Sequence, residues 1–332
     1  MLSRTADHLF WMARYTERAE NTARMLDVRV QYSLMPQTAT AAIAGWRTVL
    51  GVSELEAAFD AKYSALTQKE VIDFMVRDPG NPSSIASCLT GARENARAVR
   101  GTLTTEVWET KNTTWLGMQE YLKGDVLERN PCEFLEWVKH RSHLSRGVTL
   151  GTMLQDEALN FIRLGTFLER ADNTARILDV KFLAVDMVES DKESDKSDKE
   201  SGNESGSQRE FYYLAALLRS VSAFEVYRKV YRDTITPARV ADLLMLQAKM
   251  PRSLAACMAA VVANLGEISN GQSRDTERFA GKLHADLQFA LIEDILEEGL
   301  HDYLTLFLAA IEELGKRISR DFLIPSASGQ AT

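Results

Sequence analysis

The stretch Glu17-Arg-Ala-Glu-Asn-Thr-Ala-Arg-Met-Leu-Asp-Val28 returns 152 residues later as Glu169-Arg-Ala-Asp-Asn-Thr-Ala-Arg-Ile-Leu-Asp-Val180. Ten of the twelve positions are identical, and the other two changes are conservative. A second pair of segments, residues 81–88 and 250–257, repeats at a spacing of 169 residues, with a Pro-x-Ser core in both copies. The repetition predicts that the chain consists of two related halves.

Apolar residues recur at spacings of three and four along most of the chain, and alternating apolar and polar stretches are scarce. This pattern is typical of α-helices. We therefore expect an all-α fold, a duplicated multi-helix bundle with a pseudo-twofold internal repeat. Its halves are residues 1–150 and 151–324, followed by a flexible tail at 325–332. The first helix is expected to begin at Ser3, run past Val30 and end before Pro36. Further helices are expected at 38–50, 68–77, 82–103, 131–146, 154–188, 209–232, 237–248, 251–267, 274–286 and 288–321.

The second half contains a low-complexity segment at residues 189–207. It carries seven acidic and three basic side chains among serines and glycines. Such a segment has too little apolar surface to offset the entropy lost on ordering. We expect it to be a disordered surface insertion, which accounts for the increase in repeat spacing from 152 to 169 residues.

Composition excludes several classes of protein. The formal net charge of -8 argues against nucleic-acid binding, because nucleic-acid-binding proteins usually present a basic surface. Three cysteines without a Cys-x-x-Cys spacing favour a reducing compartment. The chain opens without a signal-like segment and contains no apolar run of about 18 residues. We expect a cytoplasmic protein without a membrane span.

The repeated segment forms a polar stripe when placed on a helix at 100° per residue. The stripe consists of Glu17, Asn21 and Arg24 in the first copy and Glu169, Asn173 and Arg176 in the second. One interpretation is the solvated face of an amphipathic helix. Since both copies keep the same polar residues, we favour a buried polar cluster between the halves. In an antiparallel crossing, Glu17 would face Arg176 and Glu169 would face Arg24.

The opening Leu2-Ser-Arg-Thr-Ala-Asp-His-Leu-Phe-Trp-Met-Ala-Arg-Tyr-Thr-Glu-Arg-Ala-Glu-Asn-Thr-Ala-Arg24 resembles the alpha-E domain family. These are bacterial all-helical proteins named for a Glu-Arg motif, which corresponds here to Glu17-Arg18 and internally to Glu169-Arg170. The resemblance implies association with a circularly permuted ATP-grasp amide ligase and a transglutaminase-like protein. It implies no established activity. The insertion at 189–207 departs from a compact family pattern, away from both motifs.

Motifs for metal or nucleotide chemistry are weak or missing in the sequence. Glu298 and His301 have the Glu-x-x-His spacing of di-iron bundles, but no other histidine has a glutamate three residues upstream. The phosphate-binding glycine motifs are also missing. We therefore expect no metal and no cofactor. Cys88 and Cys257 occupy equivalent apolar stretches and are interpreted as core thiols rather than nucleophiles.

Two classes of function follow from these patterns. The first is an accessory component of an ATP-grasp amide-ligase system that binds a peptide or a partner. The alternative is an enzyme that modifies peptides or amides, with Glu17 or Glu169 as general base beside Arg18 or Arg170. No nucleophile–base pair is apparent in the sequence. We therefore favour the accessory role over catalysis.

Overall fold

The computed structural model describes residues 1–194 and 202–323. Every helix or strand assigned within these ranges is an α-helix, which confirms the all-α class. In chain order the helices are α1 (Ser3–Ser33), α2 (Ala39–Val52), α3 (Glu56–Asp60), α4 (Gln68–Val76), α5 (Ile85–Ala98), α6 (Thr105–Lys123), α7 (Val126–Arg129), α8 (Pro131–Thr152), α9 (Glu157–Ser194), α10 (Gly202–Ser220), α11 (Phe224–Tyr231), α12 (Pro237–Met245), α13 (Leu254–Glu267), α14 (Arg274–Phe289), α15 (Ile292–Glu298) and α16 (Leu300–Phe322).

Helices α1 and α9, which carry the two repeated segments, pack on each other at the centre of the bundle. Helices α5 and α8 cover α1, while α13 and α16 cover α9. Neighbours on several sides bury about half of the residues of α1, including Leu9, Met12 and Leu26. The prediction that the two repeated helices pack together is therefore confirmed.

The two central helices run in the same direction. The amino group of Met1 lies 2.6 Å from Oε2 of Glu157, and further along both helices Glu17 binds Arg170. Contacts therefore advance together along α1 and α9, and the predicted antiparallel crossing is wrong. Seven helices separate α1 from α9 in the chain, so the chain returns to the end of the bundle where it started before α9 begins. Helical periodicity predicts which residues share a face, but it carries no information on the direction of the partner helix.

Gly165 allows α9 to approach the backbone of α1. A Cβ atom built on Gly165 would lie 2.4 Å from the carbonyl oxygen of Phe10 and 3.3 Å from Cβ of Ala13. A distance of 2.4 Å to a backbone atom is too short for any side chain, so a larger residue must push the helices apart. Gly165 is the counterpart of Ala13 at the repeat spacing of 152 residues. Small residues from both copies thus meet at the crossing.

The second repeated segment caps α5 and α13 in the same way. Oγ of Ser84 accepts a hydrogen bond of 3.2 Å from the amide of Ser87, and Oγ of Ser253 accepts one of 3.0 Å from the amide of Ala256. Serine at this position satisfies a free amide of the first helical turn. Each helix begins directly after its serine, three residues later than the sequence predicted.

Helices α3, α6 and α7 were not predicted from the sequence, and two predicted helices are broken in the structure. Helix α6 was not predicted, because threonine and asparagine, which are weak helix formers, interrupt its apolar pattern. The helix predicted at 209–232 is broken where Ser222 adopts a left-handed conformation with φ of 55°. The helix predicted at 288–321 is broken at Gly299, whose φ of 110° favours glycine. Each break separates two consecutive helices.

The segment 189–207, for which we predict disorder, is described only at its two ends. Its middle, residues 195–201, lies outside the described residues, as does the predicted tail at 325–332. Helix α9 continues to Ser194 and α10 begins at Gly202, so the flanks of the segment are helical rather than irregular. Glutamate and lysine, which are frequent in the first flank, are good helix formers.

Replacing Gly165 with alanine tests the close approach of the two central helices. We expect Gly165→Ala to lower the free energy of unfolding by about 1–3 kcal/mol, because the added methyl group meets backbone rather than a movable side chain. The matched control is Gly281→Ala on α14, where an added Cβ meets no atom within 4 Å. Alanine there should be neutral or stabilising by about 0.5–1 kcal/mol. Urea denaturation of both variants measures the difference, and equal effects would contradict the tight crossing.

Candidate functional site

Glu169 is buried against two arginines of the other repeat. Nε of Arg14 donates to Oε2 of Glu169 at 2.7 Å. Nε of Arg18 donates to Oε1 at 2.6 Å, and Nη2 of the same arginine donates to Oε2 at 3.3 Å. Both carboxylate oxygens therefore accept charge-assisted hydrogen bonds across the α1–α9 interface. Nη1 of Arg18 also reaches Oγ of Ser83 at 3.3 Å, which ties the segment before α5 to this pair.

Glu17 is bound by the equivalent arginine of the second repeat. Nε of Arg170 donates to Oε1 of Glu17 at 2.8 Å, and Nη2 donates to Oε2 at 3.0 Å. Arg252 and Arg146 add further hydrogen bonds, at 3.0 Å to Oε1 and 3.1 Å to Oε2. Glu17 thus has three guanidinium partners, all from outside its own helix.

Glu20 is a second carboxylate beside Glu17, and it is fully buried. It accepts hydrogen bonds from Nη2 of Arg252 at 2.7 Å, from Oγ of Ser142 at 2.6 Å and from Nε of Arg24 at 2.9 Å. It also binds Arg146. We call Glu17, Glu20 and their arginine partners the first acidic cluster. The second acidic cluster is Glu169 with Arg14 and Arg18.

The adjacency of glutamate and arginine in the repeated motif explains the reciprocal pairing. In the parallel crossing, Glu17 and Glu169 occupy corresponding positions, and each carboxylate meets the arginine that follows the other. The expected pairs, Glu17 with Arg176 and Glu169 with Arg24, were wrong because they assumed an antiparallel crossing. Arg18 and Arg170, which follow the glutamates, supply the charges instead.

The remaining residues of the predicted polar cluster occupy its edge. Arg24 binds Glu20 on its own helix, and Arg176 similarly binds Asp172 and also Glu54. Asn21 is buried, and its Oδ1 accepts a hydrogen bond of 3.0 Å from Arg252. Asn173 is half-buried on α9. The stripe thus contributes both glutamates and Asn21 to the interior, whereas Arg24 and Arg176 serve mainly their own helices.

Four residues of the clusters were not predicted from the sequence: Arg14, Glu20, Arg146 and Arg252. Arg252 lies within the repeated segment 250–257, where the first copy has Ser83 at the corresponding position. That difference indicates that segments 81–88 and 250–257 contact the Glu-Arg motifs in different ways. Arg146 on α8 has no such signal, because nothing local relates it to a residue 129 positions earlier in the chain.

Both motif glutamates are held in the ionised form. Burial alone would raise the pKa of Glu169, but the guanidinium groups of Arg18 and Arg14 outweigh it and lower the pKa to about 2. The pKa of Glu17 is lowered in the same way, with Arg170 and Arg252 opposing the effect of burial. A general base works best when its pKa lies near the working pH. The guanidinium groups thus lower the basicity of both carboxylates and occupy their oxygens.

A cleft of about 380 Å³ opens beside Glu17. Helices α1, α6, α8, α9 and α13 enclose it, with exposed Leu150 among the residues at its edge. Its apolar lining includes Met12, Leu159, Ile162 and Phe167. Its charged lining comprises Glu17, Lys111, Arg146, Arg163 and Arg170. The volume is within the range of small-molecule binding sites, about 300–1,000 Å³.

Lys111 of α6 is a buried cation in the wall of this cleft. Only 7 % of its surface is exposed, and its Nζ donates a hydrogen bond of 2.6 Å to Oγ1 of Thr16. Among the residues that the structure describes, no carboxylate lies within ion-pair distance of it. Burial, together with a smaller effect of the positive charge of Arg146, lowers the pKa of Lys111 to about 7.

The other candidates from the sequence occupy unreactive surroundings. Cys88 and Cys257 are buried, and burial raises the pKa of each thiol to about 12. Within residues 1–194 and 202–323, no group of three His, Cys, Asp or Glu side chains is arranged to hold a metal ion. None of the helices described there combines the length and apolarity that crossing a bilayer requires.

These observations define an all-helical protein in which reciprocal glutamate–arginine pairs join two central helices. The chain belongs to the Alpha-E family, described as a predicted alpha-helical domain with a conserved ER motif, and the match covers residues 1–323. The resemblance seen in the opening residues is thereby confirmed.

Relatives of this chain include uncharacterized proteins of Mycobacterium bovis and Mycobacterium tuberculosis. Each is 24 % identical over 336 residues, covering 93 % of this chain and 35 % of the relative. The chain thus spans about a third of the length of these relatives. No solved structure matches it significantly.

Neutralising Glu169 tests the energetic role of the second acidic cluster. We expect Glu169→Gln to lower the free energy of unfolding at pH 7 by about 3 kcal/mol, because it leaves Arg14 and Arg18 without their buried counter-charge. The folded-state pKa of Glu169 is depressed, so its contribution is present above the ordinary value of 4.5 and is lost as pH falls toward 2. Urea denaturation between pH 3 and pH 7 should show the difference from wild type narrowing in acid. The control is Glu312→Gln, which removes an exposed pair with Lys316 and should change stability by less than about 1 kcal/mol.

Replacing Lys111 tests whether this buried cation lowers the free energy of unfolding. We expect Lys111→Met to stabilise the protein by about 2–4 kcal/mol at pH 6, where wild type must bury a charged amine. The free-energy cost of burying the Lys111 ammonium is fully present below pH 7 and declines as pH rises toward the ordinary lysine pKa of 10.5. The stabilisation of Lys111→Met relative to wild type should therefore be smaller at pH 9. Thermal and urea unfolding measure both values. Lys282→Met removes an exposed lysine and serves as control. A destabilised Lys111→Met protein would show instead that Lys111 supports the fold.

Proposed function

We propose that this chain is an accessory component of a bacterial ATP-grasp amide-ligase system, in which it binds a peptide or a partner protein. Its partners in the cytoplasm are a circularly permuted ATP-grasp ligase and a transglutaminase-like protein. The ligase carries out the ATP-dependent chemistry, and this chain supplies binding. The family resemblance motivates these partners, and the geometry of the Glu-Arg motif favours a non-catalytic role.

The state of the two motif glutamates is the observation that carries the choice between binding and catalysis. Glu17 accepts hydrogen bonds from three arginines, and Glu169 accepts them from two. To act as a general base, either carboxylate would have to exchange these partners for a substrate proton. Their lowered pKa values oppose that exchange. The alternative, an enzyme with Glu17 or Glu169 as base, has no comparable support.

Two further observations favour a binding module. The cleft beside Glu17 combines apolar walls with a small number of polar groups, which is the usual character of a ligand site. In addition, the region matched by this chain forms about a third of its longer mycobacterial relatives. A module that works beside other domains would have this arrangement.

We also propose that the molecule is a duplicated bundle, with its halves related by an approximate twofold axis along the α1–α9 pair. The reciprocal bonds of Glu17 to Arg170 and of Arg18 to Glu169 support this relation. The equivalent serine caps of α5 and α13 support it as well. Gene duplication followed by divergence would leave one Glu-Arg motif in each half.

Parallel assays of complex formation and product formation test the accessory role. The experiment uses the proposed ATP-grasp partner, together with wild type, Glu17→Gln and Glu169→Gln, at a temperature where all remain folded. We expect product formation to follow complex formation in every variant, and the ligase to retain ATP turnover without this chain. Glu312→Gln, an exposed substitution, should match wild type.

The enzymatic alternative makes the opposite prediction. A positioned base contributes about 10²–10⁴-fold to rate, so its loss would abolish product while leaving the complex intact. That result for either glutamate would overturn the accessory role. Failure of wild type to form any complex with the ligase would overturn the proposed partnership.

A further inference from the structure

The cleft beside Glu17 presents more positive charge than its own carboxylate neutralises. Four of the side chains that line the cleft are cationic, and Glu17 is the single carboxylate in the lining. Arg170 and Arg146 are bound to Glu17. Within the described part of the chain, neither Lys111 nor Arg163 has a carboxylate within ion-pair distance. An anion that entered the cleft would therefore meet two cationic side chains that lack a carboxylate counter-charge among the described residues.

Lys111 is the stronger of these two indications. An exposed lysine is hydrated and needs no partner, but Lys111 is almost completely buried and has a threonine hydroxyl as its hydrogen-bond acceptor. Burying an ammonium group without a counter-charge is costly. The hydroxyl of Thr16 satisfies one of its three N–H groups. Among the hydrogen bonds of the described residues, the other two N–H groups have no acceptor, and Lys111 lies in the wall of the cleft.

The rest of the lining indicates what kind of anion the cleft fits. Met12, Leu159 and Phe167 provide an apolar wall that a free inorganic anion would leave uncovered. Asn264 donates its Nδ2 to the carbonyl of Ala260 at 2.6 Å. This bond fixes the orientation of the amide, and its Oδ1 remains able to accept a hydrogen bond. An amide N–H is a suitable donor.

We infer that the cleft binds the C-terminal end of a short apolar peptide. Lys111 receives the terminal carboxylate, and Arg163 adds to the attraction. The apolar wall covers the peptide side chains, and Asn264 accepts a hydrogen bond from a peptide amide. This assignment rests on the proposed binding function and names the ligand class for it. A carboxylate on an apolar body is the shared chemistry, and the amide contact distinguishes a peptide from a fatty acid.

Protonation of Lys111 couples ligand binding to pH. The charged groups that face it are Glu17 on α1, Arg146 and Arg141 on α8, and Arg163 and Arg170 on α9. His143 on α8 contacts Arg146. Since a carboxylate binds the ammonium form, the affinity should be highest below pH 7 and fall several-fold as pH rises to 8.5. Binding near pH 7 should also take up a proton.

Calorimetric titration of the full chain with N-acetyl-leucyl-leucine tests the assignment. We expect binding at pH 6.5, and a loss of about tenfold or more for the same peptide carrying a C-terminal amide, because the charge-assisted hydrogen bonds disappear. Lys111→Met should lose about tenfold or more toward the free acid while remaining folded. Lys282→Met should bind like wild type. Decanoate, which lacks amide groups, should bind more weakly than the peptide.

Several results would overturn the assignment. They are equal affinity for the acid and the amide, unchanged binding by folded Lys111→Met, tighter binding of decanoate than of peptide, or no binding of the peptide at millimolar concentration. Complex formation with the ATP-grasp ligase is measured separately. If wild type forms that complex but binds no peptide, the assigned ligand fails and the accessory role stands. If it binds the peptide but forms no complex, the proposed partnership fails and the assignment of the cleft stands.

Discussion

Two reciprocal buried ion pairs, Glu17 with Arg170 and Glu169 with Arg18, constrain the rest of the structure. Each carboxylate is almost completely buried and is bound by an arginine from the other half of the chain. Buried ion pairs add uncertain net stability, but loss of one partner leaves a charge that the interior cannot solvate. A shift of α9 along α1 by one helical turn would separate both pairs together. The pairs thus act chiefly by fixing the register and direction of the two central helices.

The two sides of this central pair of helices differ in their residues, and the cleft lies on one side only. At the position of Ser83 in the first half, the second half has Arg252, which binds both Glu17 and Glu20. Where α5 packs on α1, Tyr15 lies close to Gly91, and a Cβ atom added to Gly91 would lie 3.1 Å from the tyrosine ring. Their counterparts at the repeat spacings, Phe167 and Ala260, line the cleft. One side of the crossing is thus filled by packing, whereas space remains on the other.

Local sequence patterns predicted the helical class, the packing of α1 on α9 and the burial of Glu17 and Glu169, because a repeated polar stripe is recorded within single helices. They did not predict the direction of the crossing, since periodicity defines a face and not an orientation. Arg146 and Arg252 were missed for a related reason: they reach Glu17 from 129 and 235 residues away in the chain. Lys111 was missed because its helix shows little apolar periodicity.

The contrast between the motif glutamates and Lys111 separates structure from function in this protein. Glu17 and Glu169 are unusual in sequence, yet their buried charges are fully explained by the arginines that fold around them. Lys111 belongs to no motif, and the fold supplies it with a hydroxyl but no counter-charge. Residues that lower the stability of a protein are often found at its binding sites. The motif glutamates are thus paired within the bundle, whereas Lys111, which lacks a counter-charge among the described residues, is the residue at which we propose that a ligand binds.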